Sequence, residues 1–360
     1  MNYDVVIIGA GFAGCTCAQI LAENGKQILI IEKRGHIGGN AYDCLDEHGI
    51  IIHPYGPHIF HTNSERIFRY LSRFTNWVAY EHRVLSFVEK KYLPIPINRT
   101  TINRLYDLNL TESEVAEYLD RIRISKEKIL NSEDLVLNSV GNDLCEKFFR
   151  GYTRKQWGLD LSQLSAGVAA RIPTRTNDDD RYFTDKFQYM PQNGYTKMFE
   201  NMLSSPNIEI ALNTDFENVG AEHKGATLIY TGAIDTFYDY RHGKLPYRSL
   251  QFKHEHFANT SQYQPAATIN YPNDFKFTRT TEFKQITGQK HPGTSVVSEF
   301  PCDNGDPYYP IPNASNEALY KRYEQLAKDE RNTIFVGRLA QYRYYNMDQV
   351  VGAAISAIEH

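Results

Sequence analysis

The sequence predicts an α/β fold in which a Rossmann-like domain is split between the two ends of the chain. Near the N-terminus a short apolar run, a glycine motif and a helical pattern follow one another, and a strand–glycine–helix pattern closes the C-terminus. Between them lie a segment of helical patterns and a segment of short alternating strands. We therefore expect an inserted helical domain and a mainly antiparallel β-sheet domain.

Length and composition are those of a globular protein with more than one core. The chain has 360 residues, of which 41% are apolar and 23% charged, and its net charge is −4. It has no long basic run, which argues against nucleic acid or an anionic membrane surface as the main partner. The five cysteines form no CxxC pair, which fits a reducing compartment. With no secretory pattern at the N-terminus, we expect a cytoplasmic protein.

The first residues carry a dinucleotide-binding pattern. Val5–Ile8 predicts a buried strand, and the motif G-x-G-x-x-G follows at Gly9, Gly11 and Gly14. The first glycine permits a tight turn, the second lets backbone approach a pyrophosphate, and the third lets the helix pack on the strand. The helix N-terminus then offers free N–H groups to the anion.

The next stretch indicates which dinucleotide is bound. Residues 27–31 predict a second strand that runs into Glu32, where a carboxylate accepts hydrogen bonds from a ribose diol. Arg34, Gly38 and Gly39 complete the pattern E-x-R-x-x-x-G-G, which resembles the FAD-binding domain of glutathione reductases and amine oxidases. A second glycine pair lets backbone lie against an extended cofactor, and an NAD domain has no need of it. The sequence thus favours FAD over NAD.

The C-terminal pattern supports the same cofactor. Residues 332–337 predict a short strand that ends at Gly337, and Arg338 and a helical pattern follow. Many flavoproteins close the far end of the FAD site in this way, so we expect Arg338 to pair with the pyrophosphate. The expected division is therefore 1–80 for the N-terminal part of the FAD-binding domain, 81–180 for a helical substrate domain with a mobile loop at 167–180, 181–325 for the antiparallel sheet domain with FAD-domain strands, and 326–360 for the C-terminal part of the FAD-binding domain.

The middle of the chain carries patterns with two interpretations each. Segment 145–165 interleaves aromatic rings with cations, which suits a nucleotide base and its phosphates but equally an ordinary helix with rings inward. The loop 167–180 carries Arg171, either to close over a diphosphate or as part of a solvated linker. Strand alternation puts Arg279 on the same face as two phenylalanines.

The motif YGPHIFHT at 55–62 has two histidines but no supporting carboxylate or thiol constellation, so we expect no metal.

These motifs together resemble the bacterial UDP-galactopyranose mutase family. The resemblance spans nearly the whole chain through GAGFAG, EKRGHIGGNAYD, YGPHIFHT, FFRGYTRKQWG, FTRTTEF, PYYPIP and GRLAQYRYYNMD. It implies interconversion of UDP-galactopyranose and UDP-galactofuranose, with galactofuranose serving cell-surface polysaccharide biosynthesis. The family uses reduced FAD without net redox: flavin N5 attacks the anomeric carbon, and a flavin–sugar iminium follows. It also implies a homodimer and a flavin reductant, whose identity the resemblance does not give.

The resemblance assigns roles to particular positions. Catalytic roles fall on His58, Arg171 and Arg279, the arginines binding the diphosphate. Substrate contacts, namely a uridine pocket, phosphate-binding tyrosines and a ring beside the sugar, are expected from Phe148, Phe149, Tyr152, Thr153, Trp157, Tyr182, Asn270, Tyr309, Tyr344 and Asn346. Cofactor contacts are expected from Gly9, Gly11, Phe12, Gly14, Glu32, Lys33, Gly39, Asn40, His58, Ile59, Gly337, Arg338, Tyr344 and Met347.

One position departs from the family pattern. Asn346 stands where the family commonly has aspartate, which removes a charge beside the flavin. Related enzymes of the family act on UDP-N-acetylgalactosamine or on a deoxyhexose carried by dTDP, and both substrates stay open. Two other functions stay open. One is a redox flavoenzyme, which the diphosphate-directed arginines disfavour, and the other is a non-catalytic nucleotide-sugar binder.

Overall fold

The structure, a computed structural model, describes residues 3–216 and 225–359. Its strands are β1 (Val5–Ile8), β2 (Ile28–Ile31), β3 (Cys44–Leu45), β4 (Ile51–Ile52), β5 (Phe60–Thr62), β6 (Trp77–Ala79), β7 (Val84–Val88), β8 (Lys91–Ile95), β9 (Phe187–Pro191), β10 (Ile208–Ala211), β11 (Thr227–Tyr230), β12 (Tyr247–Phe257), β13 (Thr268–Asn270), β14 (Arg279–Glu282), β15 (Thr294–Cys302), β16 (Tyr309–Pro310) and β17 (Thr333–Phe335). Its helices are α1 (Phe12–Glu23), α2 (Glu65–Leu71), α3 (Arg99–Tyr106), α4 (Glu112–Ile122), α5 (Ser132–Leu144), α6 (Gly151–Trp157), α7 (Gly194–Met202), α8 (Ile234–Phe237), α9 (Phe283–Thr287), α10 (Ala314–Asp329) and α11 (Met347–Glu359).

A parallel sheet joins the two ends of the chain. Its strand order is β10-β2-β1-β11-β17, so the C-terminal strand extends the sheet that the N-terminal strands begin. The central strands are continuous runs of valine, isoleucine and leucine because both faces of such a sheet are covered. Helices α1 and α11 pack together, with the thiol of Cys17 3.9 Å from the carbonyl oxygen of Ala354. The predicted split Rossmann-like fold is confirmed.

A second sheet is mainly antiparallel, as predicted. Its order is β16-β12-β15-β14-β13-β7-β8, and of these pairings only β13 with β7 is parallel. The register places Ser86, Asn270, Arg279 and Glu299 side by side across four neighbouring strands. Because directly opposite residues project from the same face, this row presents its side chains together.

The helices α3 to α6 lie where helical patterns predict them. Helix α4 begins at a capping box, in which Thr111 is the N-cap and Glu114 bonds back to its N–H at 2.8 Å. A π-helical segment, Cys145–Arg150, joins α5 to α6. The range 81–180 is not wholly helical, however, because β7 and β8 lie inside it. These strands pair with the second sheet and carry the core on which the helices pack.

Candidate active site

Two glycine segments that are distant in sequence meet beside the parallel sheet. Gly9 has φ +99°, which an L side chain rarely adopts, and a Cβ on Gly14 would lie 1.9 Å from its carbonyl oxygen. The N–H of Gly38 donates to the Ala10 carbonyl at 2.8 Å. A Cβ on Gly39 would lie 3.0 Å from the Cα of Gly11. Bare backbone from both motifs therefore lines one cradle at the N-terminus of α1.

The acidic residue after β2 lies against this cradle. Glu32 is buried, and its carboxylate accepts from the backbone N–H of Ala10 at 2.8 Å and of Arg34 at 2.9 Å. Two predicted cofactor residues already have protein partners: Asn40 accepts from Arg34, and Lys33 pairs with Asp306 at 3.0 Å. Predicted cofactor residue Phe12 buries its ring against Phe199, so only its backbone can face a ligand.

The C-terminal segment closes the other side. Gly337 has φ +106°, and a Cβ there would lie 3.1 Å from the Cβ of Ala13 on α1. Arg338 follows and donates to the Tyr345 carbonyl at 2.6 Å. Burial lowers the pKa of Arg338, and the rings of Tyr309 and Tyr344 lie 5.9 Å from its guanidinium. The N-terminus of α11 begins directly after these residues.

A cavity of about 410 Å³ opens between the two sheets' strand ends and the loop 167–180. Among the residues predicted for the site, it is lined by His58, Ile59, Arg171, Tyr182, Asn270, Arg279, Tyr309, Arg338, Tyr344, Asn346 and Met347. Residues from five separate stretches of the sequence therefore meet in one place. Four arginines but few carboxylates line it, and this excess of positive charge suits an anionic ligand.

Arg279 is held by the sheet. Its Nε donates to Glu299 Oε1 at 2.8 Å, and these two residues are direct cross-strand partners on β14 and β15. Glu299 is fully buried, and its second oxygen has no hydrogen-bond partner among residues 3–216 and 225–359. The buried carboxylate raises the pKa of Arg279, which keeps the guanidinium charged. The position of Arg279 is thus set by the strand register, and its charge by the Glu299 carboxylate, before any ligand arrives.

Arg171 is held differently. It lies at the end of a 3-10 turn, Ala169–Arg171, and its side chain is exposed. The guanidinium donates to the Tyr344 carbonyl at 3.1 Å and to Oδ1 of Asn346, and lies 4.1 Å from the Tyr344 ring centre. All three partners are uncharged. A second cavity, of about 300 Å³, is also lined by Arg171, so this side chain lies between the two cavities.

His58 follows a turn at Gly56, which has φ +88°. Its Nδ1 lies 2.8 Å from the Gly56 carbonyl oxygen, which can only accept, so Nδ1 carries the proton and Nε2 a lone pair. Its backbone N–H donates to Nδ1 of His53 at 3.1 Å. Burial lowers the pKa of His58 to about 3 and that of His53 to about 4, so both rings are neutral.

The predicted uridine-pocket residues on the helices lie mostly behind the cavity wall. Phe148, Phe149 and Thr153 are buried. Tyr152 lies near Arg279, since that arginine's charge counters the burial that raises the tyrosine pKa. Trp157 packs its ring edge-on against Tyr344, with centroids 5.6 Å apart. These residues support the lining side chains.

The cations of segment 145–165 have structural partners, contrary to the phosphate-binding interpretation. Arg150 pairs with Glu133 at 2.6 Å, and Arg154 pairs with Asp160. Lys155 donates to backbone carbonyls of the loop between β13 and β14, including that of Asp274 at 2.9 Å. The ordinary-helix interpretation therefore holds for the charges, because nearby acids pair with Arg150 and Arg154 and backbone carbonyls accept from Lys155.

Sequence reasoning missed several cavity residues. Asp185 and His82 line the cavity, and Glu299 supports it from beneath. A signal existed for Glu299 alone: a carboxylate inside the apolar strand pattern TSVVSEFP is costly unless paired. Of the residues that the structure describes, no group of three or more His, Cys, Asp and Glu could hold a metal ion. Within the same residues, no helix is long and apolar enough to cross a membrane.

The fold and the cavity define a protein of the Rossmann-like class with an arginine-lined cavity, and comparison with known proteins specifies the family. The UDP-galactopyranose mutase family model matches residues 147–344, and an NAD(P)-binding Rossmann-like domain model matches residues 7–74. The chain is 39% identical to a dTDP-fucopyranose mutase from Escherichia coli, over 99% of this chain and 97% of that protein. It is also 39% identical to a probable UDP-galactopyranose mutase from Klebsiella pneumoniae, over 99% and 94%.

A crystal structure of reduced UDP-galactopyranose mutase has the same fold, with TM-score 0.81 and 19% identity, over 100% of this chain and 94% of that one. The chain belongs to the UDP-galactopyranose mutase family and is an enzyme of the isomerase class.

Proposed function

We propose that the protein interconverts the pyranose and furanose forms of a nucleotide-linked galactose, UDP-galactopyranose and UDP-galactofuranose, with reduced FAD and no net redox. The observation that carries this proposal is the meeting of Arg171 and Arg279 in one cavity beside the glycine cradle. A diphosphate needs two or more cations, and a dinucleotide needs bare backbone at a helix N-terminus. Arg338, which lines the cavity, directly follows Gly337, whose backbone lies close to Ala13 on α1.

The residues present fit FAD. A Cβ would lie 2.2 Å from Thr231 Oγ1 at Gly9 and 3.0 Å from Gly11 Cα at Gly39, so backbone alone fits there, and Glu32 offers a carboxylate beside it. Arg338 and the N-terminus of α11 offer positive charge at the far end. When bound, reduced FAD supplies the nucleophile for the anomeric carbon of the sugar and is regenerated at the end of the cycle.

The chain's own residues then bind, orient and exclude water. Arg279 and Arg171 hold the diphosphate, while Tyr182, Tyr309 and Tyr344 donate hydrogen bonds to it. Burial raises the pKa of Tyr309 to about 12, so this hydroxyl remains a donor at neutral pH. His58 presents the lone pair of Nε2 without charge, which lets it accept a hydrogen bond in the cavity.

Loop 167–180 supplies the closing element. Arg171 has only uncharged partners, so a diphosphate would be a stronger partner for it than Asn346 or the Tyr344 carbonyl. Moving the guanidinium to the ligand would also move the wall between the two cavities. Closure of this kind excludes water and positions the anomeric carbon.

A second substrate has a specific observation in its favour. The Escherichia coli relative, as similar as the Klebsiella one, is named a dTDP-fucopyranose mutase. Fucose here is a 6-deoxygalactose, so the same ring chemistry would apply. Asn346 lies at the cavity where the sugar and flavin would meet, and its lack of charge is compatible with either sugar.

Product analysis tests the proposal. The FAD-loaded protein, reduced with dithionite, would be incubated in parallel with UDP-galactopyranose and dTDP-fucopyranose, with the oxidised protein as control. Furanose formed only by reduced protein supports the mutase, and the faster substrate identifies the sugar. Oxygen or NAD(P)H consumed in proportion to turnover, or no conversion of either sugar despite bound reduced FAD, would overturn it.

A further inference from the structure

A histidine–carboxylate pair faces the cavity and has no role in the function proposed so far. His61 Nδ1 lies 2.9 Å from Asp185 Oδ2, and Asn63 donates to the other carboxylate oxygen at 2.8 Å. Both members of the pair line the cavity that Arg171 and Arg279 also line. They are 124 positions apart in sequence, so only the fold creates the pair.

Three contacts fix His61: the bond to Asp185, a ring stack and the pairing of its backbone. It stacks on the Phe183 ring with centroids 3.6 Å apart and an angle of 12° between the planes. Its backbone lies in β5 and is the register partner of Gln188 in β9. Because the carboxylate accepts from Nδ1, the other nitrogen, Nε2, faces the remaining space. Among the residues described by the structure, Nε2 has no hydrogen-bond partner.

The reaction needs a group of this kind. In the pyranose, O5 is bonded to C1 and O4 carries a proton; in the furanose, O4 is bonded to C1 and O5 carries the proton. Conversion therefore breaks C1–O5, with its electron pair going to O5, and forms C1–O4 from an electron pair of O4. One proton must leave O4 and one must reach O5, and no other atom of the sugar changes its protonation.

We propose that His61, held by Asp185, moves this proton between the two sugar hydroxyl oxygens. This inference rests on the proposed function. The imidazolium form gives its Nε2 proton to the oxygen that leaves C1, and the neutral form then takes the proton of the hydroxyl that attacks C1. The ring ends in the state in which it began, so the protons balance in both directions. Asp185 stabilises the imidazolium and fixes its orientation.

Titratable groups on neighbouring elements surround this ring. Asp185 precedes β9, Asp348 lies on α11, Arg171 lies on the 3-10 turn, and His82 precedes β7. Burial lowers the pKa of His61, and the two carboxylates oppose that effect while Arg171 reinforces it. A bound diphosphate would neutralise Arg171 and so favour the imidazolium when substrate is present.

The test compares His61→Ala and Asp185→Asn with wild type, using His48→Ala, an exposed histidine outside the cavity, as the matched control. We expect kcat to fall by roughly 10²–10⁴-fold in His61→Ala, the usual scale for a lost acid–base group. The wild-type kcat should decline as the pH rises through the pKa of His61 in the substrate complex. That decline should vanish in His61→Ala, and added imidazole should restore part of the rate. In Asp185→Asn the decline should move to lower pH, because the carboxylate no longer stabilises the imidazolium.

Two further measurements separate the possible failures. Nucleotide-sugar binding by titration calorimetry should stay within about threefold of wild type in both variants, since neither group holds the diphosphate. ¹⁵N NMR of the imidazoles should show the Nδ1–H tautomer of His61 in wild type and its loss in Asp185→Asn. Activity in His61→Ala within threefold of wild type, or a loss that is equal at every pH and not rescued by imidazole, would overturn the inference. If wild type itself converts neither sugar, the proposed function fails instead.

Discussion

Arg279 and Arg171 face one cavity, yet the molecule holds them in opposite ways. Arg279 lies in a strand, opposite a fully buried carboxylate, and its position follows from the register of β14 and β15. Arg171 lies on an exposed turn and touches only uncharged groups. The first arrangement keeps a cation in place without ligand, and the second leaves a cation ready to change partners. The site thus has a fixed half on the sheet and an adjustable half on the loop.

The loop itself is not uniform. Its later part is tied down, since Arg175 donates to the carbonyl oxygens of Asp179 and Arg181 at 2.8 and 2.5 Å. The backbone N–H of Arg175 also donates to Ile97 at 2.9 Å. Adjustment is therefore confined to the stretch around the 3-10 turn at Ala169–Arg171.

The largest effect should come from removing the fixed cation. Arg279→Ala should reduce kcat/KM by about 2–5 kcal/mol of transition-state binding, the scale for losing one partner of a desolvated charge pair. It should also lower the free energy of unfolding by about 3–5 kcal/mol, because Glu299 becomes a buried charge without its partner. Steady-state kinetics and urea unfolding measure the two effects. Recovery of stability without recovery of activity in Arg279→Ala/Glu299→Gln would show that they are separate.

Removing the adjustable cation should affect catalysis alone. Arg171→Ala should reduce kcat/KM by roughly 2–3 kcal/mol, while the free energy of unfolding stays within about 0.5 kcal/mol of wild type, as for other exposed side chains. The same kinetics and urea unfolding apply. A clear loss of stability would contradict the contrast between the two halves, and unchanged turnover would remove Arg171 from the site.

Acid should lower the free energy of unfolding through the buried ring of His53, which accepts from the His58 N–H. Burial lowers the pKa of His53 to about 4, whereas an unfolded histidine titrates near 6.5, so the unfolded state binds more protons between these values. Stability contributed by neutral His53 is complete above pH 6.5 and is lost as pH falls toward 4. Wild type should therefore lose about 2 kcal/mol more than His53→Asn between pH 7.5 and pH 5. Equal losses in urea unfolding at the two pH values would contradict this.

The smallest effect should follow from loosening Arg171. Asn346→Ala removes one uncharged acceptor and leaves the Tyr344 carbonyl and ring in place. We expect the ratio of the two KM values to correspond to less than about 1 kcal/mol, and the free energy of unfolding not to change measurably. A tenfold or larger change in KM would mean that Asn346 contacts the substrate directly.

The sequence was most informative where structure depends on neighbouring residues. The strands β1 and β2, the glycine turn and the capping box at Thr111 all follow from local patterns. The predicted alternation that put Phe275 and Phe277 on one strand face with Arg279 was wrong, because β14 begins only at Arg279 and Phe275 has φ +55° in the segment before it. The strand–glycine–arginine–helix pattern near the C-terminus, which many flavoproteins share, also predicted that both chain ends contribute to one domain. The charges of segment 145–165 could not be assigned in this way, since the acids that neutralise Arg150 are brought to it by folding.

By itself, the sequence determined the split Rossmann-like fold, the glycine cradle and eleven of the 23 residues that line the cavity. Only the tertiary structure decided that Glu299 lies opposite Arg279 and that Asp185 holds His61. The physical reason is that hydrophobic period and turn chemistry encode the local course of the backbone. Strand register and loop packing decide instead which distant side chains touch, and the free energy of that choice is spread over the whole core.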